Sequence, residues 1–146
     1  MTPALPDILR GNFLSLAIPA PVESQGEFMT GRVGVIALLS LLAAQEAERG
    51  TTARIWENAA IGAMLAEAAD AYGPQYAEVA EVAAIEAVDL SLEGLDRANA
   101  ALRRGLIALQ EAVESAGDTA RWKAINGLYA EMAERRKLEL PPLPAR

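Results

Sequence analysis

Glu78, Glu81, Glu86 and Asp89 are the residues in this chain whose type and spacing come nearest to chemistry. Carboxylates gathered on one helix face can hold a hard cation through oxygen. Di-metal centres in helical bundles, however, pair a glutamate with a histidine three residues on. The chain has no histidine and no cysteine. That pattern is therefore excluded, together with Cys/His zinc sites, disulfides, thiolate nucleophiles and histidine-based triads. The acids read as a solvated helix face, and neither a metal nor any other cofactor is expected.

The remaining candidates for catalysis are no stronger. Serines and threonines are present without a histidine to activate them, and Lys123 and Lys137 sit in no recognisable catalytic motif. Gly31 and Gly34 follow no strand, so they form no phosphate cradle. Pro141 to Pro144 matches a Pro-x-x-Pro ligand in form only, a frequent chance pattern, and is read as an extended tail. No enzymatic activity is expected.

Charge narrows the partners. The formal net charge is −7, which disfavours nucleic-acid phosphate. From Pro74 through Asp96 there are six acids and no base, a patch that is either solvated or turned towards a basic protein surface. Arg135-Arg136-Lys137 is too short to reverse the balance and is read as helix capping or solvation.

These residues require helices to position them, and hydropathy patterning supplies helices alone. The first is expected from Glu27 to Arg49, stopping at Gly50, with Val33 to Ala44 apolar on every side. Those twelve residues fall short of the ~18–20 needed to cross a bilayer, so they read as a core helix that other helices or a second subunit must surround. Thr51 or Thr52 would cap a second helix reaching Tyr72 before Gly73-Pro74. Pro74 suits the first turn of a third, which ends or kinks at Asp89 or Ser91.

The fourth, Leu92 to Ala116, has the sharpest pattern. Leu92, Leu95, Asn99, Leu102, Leu106, Leu109 and Val113 make a heptad seam, flanked by the small residues Ala98, Ala101, Gly105, Ala108 and Ala112, which admit a close neighbour. Gly117 and Asp118 read as the end of that helix and the cap of a fifth, along which Trp122, Ile125, Tyr129 and Met132 recur. Asn99 is the polar residue of the seam, and it either fixes register between subunits or bonds locally within one.

The sequence thus predicts an all-α protein, a bundle of four to five helices over residues 27–137, with an extended apolar arm over 1–26 and a Pro-rich tail over 138–146. Phe13, Leu14, Leu16 and Ile18 should dock the arm on the bundle. Its predicted role is protein–protein interaction or assembly as a homodimer, or with another protein. The interface candidates are Val35, Leu38, Leu39, Leu42 and Asn99. The alternative is a carrier of a small apolar ligand, with a pocket lined by Trp56, Met64, Trp122 and Met132. Residues 1–11 lack the apolar run of a secretory signal, so a cytoplasmic location is expected. Arginine outnumbers lysine eleven to two, which suggests a GC-rich bacterial genome.

Overall fold

The computed structural model of the protein describes residues 5, 7–9, 11, 12, 25–86 and 88–140. Among these there is no strand. The helices are α1 (Gln25–Tyr72), α2 (Gln75–Glu86), α3 (Leu92–Ala116) and α4 (Thr119–Arg135), and the fold is all-α as expected. No helix among the described residues is long and apolar enough to cross a membrane.

The first two predicted helices are one. α1 runs unbroken for 48 residues through Gly50, Thr51 and Thr52. A glycine inside a helix costs only ~1 kcal/mol relative to alanine. A break there would instead leave up to four carbonyls and four amides without helical partners. The local stop signal is real but weaker than continuation.

The chain nevertheless divides near this point into two compact units, Met1–Gly50 with Lys137–Arg146, and Thr51–Arg136. The division falls inside α1 and within the 27–137 stretch expected as one domain. In the first unit, Ile8, Ala43, Gln45 and Glu46 are buried. The Gln45 amide clasps the backbone of residue 139: its Nε2 donates to the Glu139 carbonyl at 2.8 Å, and its Oε1 accepts from the Glu139 amide at 2.8 Å. Residues 137–140 carry no helix, and 141–146 of the expected tail lie outside the described residues. Residues 5, 7–9, 11 and 12, within the stretch expected to be an extended arm, are helical. Proline is tolerated in the first turn of a helix, so early prolines do not forbid one. Phe13, Leu14, Leu16 and Ile18 lie outside the described residues.

The second unit is built on the α3 seam. Leu95, Leu102, Leu106, Leu109 and Val113 are fully buried. Leu102, Leu106, Leu109 and Val113 pack with Ile61 and Leu65 of α1, Tyr76 and Ala83 of α2, and Ile125, Leu128 and Met132 of α4. The small-residue stripe has the expected purpose at Gly105, where a Cβ would stand 3.0 Å from Leu65 Cδ1 and 3.2 Å from Val79 Cγ1. Caps set the register. The Ser91 hydroxyl accepts from the Gly94 amide, Gly117 closes α3 in the left-handed conformation at φ 67°, and the Asp118 side chain accepts from the Arg121 amide to open α4. α2 and α3 are accordingly separate helices.

Candidate functional site

The most distinctive chemistry lies inside the second unit, on the face of α1 that carries Ile61 and Leu65. Glu57 and Asn58 stand one turn before Ile61, and the helical repeat carries both into the core. Glu57 is 1% exposed. Its Oε1 accepts from Asn99 Nδ2 at 3.0 Å and from Arg103 Nε at 2.7 Å, both on α3. Its Oε2 accepts from Nε of Arg136, the C-cap of α4, at 2.6 Å. Asn99 Nδ2 also donates to Asn58 Oδ1 at 2.8 Å, and Asn58 Nδ2 donates to the Leu95 carbonyl at 3.1 Å. One turn earlier, the buried Arg54 donates from Nε to Asp96 Oδ1 at 2.7 Å. The cluster joins α1, α3 and α4.

Burial by itself would push the Glu57 carboxyl up. The hydrogen bonds from Asn99 and Arg103 and the charge of Arg136 outweigh it, and the group is held below its ordinary value. A carboxylate so stabilised is a poor proton acceptor, and its oxygens are already occupied. The arrangement is suited to locking three helices together, not to proton transfer. Tyr72 and Asp118 make a smaller lock, with the Tyr72 hydroxyl donating to Asp118 Oδ2 at 2.9 Å.

The second feature is a groove of about 450 Å³ between α1 and α2, floored by Leu95 and Leu102 of α3. Its α1 wall is Ile55, Asn58, Ala59, Gly62, Ala63 and Ala66, and its α2 wall is Ala80, Ala83 and Ala84. Alanine and glycine line it because these positions form a separate stripe of α1, turned away from the Ile61 and Leu65 face.

None of the four expected pocket residues lines this groove. Met132 is in the core and Met64 packs against it. Trp56 also packs on the core, with the Arg135 guanidinium 4.0 Å above its ring centroid, while Trp122 is exposed. The core claims Met64, Met132 and Trp56 and the Arg135 cation covers the Trp56 ring, leaving the cavity to the small residues.

The interface candidates divide. Val35 and Leu38 are exposed, and Leu39 and Leu42 are half-buried. Asn99 is buried, and both of its amide bonds are within the chain, so it leaves the set of surface candidates: its acceptors are Glu57 and Asn58, not a facing subunit. Glu78, Glu81 and Asp89 are exposed as expected, the side chain of Glu86 lying outside the described residues. Among the described residues no cluster of acids could hold a metal ion.

Glu57 and Arg103 escaped the sequence reading, and Arg136, read there as helix capping or solvation, is the C-cap of α4 and also a partner of Glu57. A usable signal was present, since Glu57 stands at i−4 and i−8 from Ile61 and Leu65, a charged residue at the head of an apolar stripe. Comparison with protein-family models, with curated proteins and with solved structures found no match.

Proposed function

We propose that this protein is a non-enzymatic assembly module that self-associates through the first half of α1. The observation that carries this reading is the uncovered apolar face there. Val33, Val35, Leu38 and Leu41 are 60, 51, 38 and 37% exposed. A second face of the same helix, Ile36, Leu39, Ala43 and Glu46, steps by three and four and is half-buried or buried. One side of this stretch is thus occupied while the other meets water, and apolar residues so grouped on one helix mark an association surface.

A second copy is the occupant that charge favours. Val33 to Ala44 contains no charged residue, so two chains of net charge −7 meet there with least repulsion. A homodimer with self-complementary contacts follows as the simplest closed form. The absence of catalytic motifs supports the non-enzymatic part of the reading, and the arginine-rich coding bias supports a bacterial source.

Light scattering on the intact protein at micromolar concentration tests it. The wild type should have the mass of a dimer, and the double variant Val35→Glu, Leu38→Glu should have the mass of a monomer with unchanged helical circular dichroism. A monomeric wild type that stays in solution would overturn the proposal.

A further inference from the structure

The groove in the second unit has features that the self-association face does not require. All of its lining except Leu102 comes from Ile55 to Asp96, a stretch with no lysine or arginine and nine acids, of which Glu57, Asp89 and Asp96 are paired with arginines outside it. The bases that flank this stretch are engaged, Arg54 with Asp96 and Arg97 with Asp89. Helical spacing places acids along both walls: Glu67 lies one turn beyond Ala63, Asp70 one turn beyond Ala66, and Glu81 one turn before Ala84. All three acids are exposed. The groove is therefore an apolar trough with negative margins.

Its shape is equally specific. The α1 wall from Ile55 to Ala66 spans three turns, about 16 Å, and presents alanine and glycine where larger side chains would keep a neighbour away. Such walls let another helix approach closely. At one end, Ile85, Val88 and Leu90 are 75, 81 and 62% exposed, and Leu90 itself lines the groove. Apolar surface thus continues from the trough onto its lip.

We propose that this groove receives one amphipathic helix of a partner protein, apolar on the face that enters and basic along its two flanks. Apolar anchors at i, i+3, i+4 and i+7 would fill the trough, as in other helix-in-groove recognition. Lysines or arginines beside them would meet Glu67, Asp70 and Glu81, giving orientation and faster encounter. The partner is a chain of opposite charge, unlike the like-charged copy that meets the Val35 face.

The test uses the full protein and a synthetic helix of about 15 residues made of leucine and lysine, with leucines on one face. A second peptide replaces every lysine with glutamate. The lysine peptide should bind, more weakly as salt is raised, and should protect the amides of residues 55–66 and 80–90 from hydrogen exchange. Ala63→Trp and Ala84→Trp, at exposed positions of opposite walls, should each weaken binding by about tenfold or more. Ala124→Trp, exposed on α4, should not. Binding should survive in the Val35→Glu, Leu38→Glu protein, which separates this site from self-association. Equal binding of the glutamate peptide, or binding untouched by both groove tryptophans, would overturn the proposal. So would native mass spectrometry showing a small apolar molecule retained by wild type and lost from Ala63→Trp.

Discussion

Glu57 and Arg136 are 79 positions apart in the chain and joined by a hydrogen-bonded ion pair of 2.6 Å. The contact binds the middle of α1 to the end of α4, and with Arg103 it leaves the carboxylate charged in a nearly dry place. Taking an ion out of water costs several kcal/mol, which its partners offset only while all are present.

Glu57→Gln should therefore destabilise the protein at neutral pH, by about 3 kcal/mol, the low end for breaking a buried pair because both arginines retain some access to water. The pH dependence has a definite sign. The folded-state carboxyl is held below its unfolded value, so its contribution is complete above the unfolded value of about 4.3. It is lost as pH falls further, through the folded value. Chemical denaturation of both proteins between pH 7 and pH 3 should show the gap closing only at the acid end. A gap independent of pH would assign the effect to packing.

Asn99→Leu should lower stability by about 1–3 kcal/mol, because it leaves Asn58 Oδ1 without its donor and removes one donor from Glu57. The oligomeric mass should stay the same. An increase in melting temperature would return Asn99 to the role of a register device.

Gly105→Leu should cost about 1–3 kcal/mol by overpacking against Leu65 and Val79. Leu106→Ala, on the same helix but fully buried, should cost about 2–5 kcal/mol by leaving a cavity. Urea titration of the two variants distinguishes these causes from a mere change in helix propensity, which is below about 1 kcal/mol.

Gly127→Ala should act in the opposite direction. A Cβ at this α4 position meets nothing within 4 Å, so the substitution gains helix propensity of roughly 0.5–1 kcal/mol. A higher midpoint in the same titration is expected, and a lower one would show that the open space is needed by a neighbour.

α3 was legible from sequence because its evidence is local and concordant: Ser91 and Gly117 bracket it, and a leucine repeat runs between them. Gly50 misled because a glycine followed by threonines resembles a stop when the cost of stopping is not weighed. The Glu57 cluster was least legible. The position of Glu57 one turn before Ile61 carried a signal that went unread, but its partners lie 42 to 79 positions away, and no local pattern specifies such pairings. The groove shares that difficulty, since two alanine stripes form a cavity only when their helices are set side by side.

Arg136 is also the last residue of the Thr51–Arg136 unit. On a ribosome adding roughly 5–20 residues per second, it is synthesised about 4–16 s after Glu57. Arg103, 46 positions after Glu57, joins the chain more than halfway through that interval, and the cation that closes the second carboxylate oxygen comes last. The unit consequently reaches its final electrostatic balance only when its own final side chain has cleared the exit tunnel. Closure of the carboxylate cannot precede the emergence of Arg136.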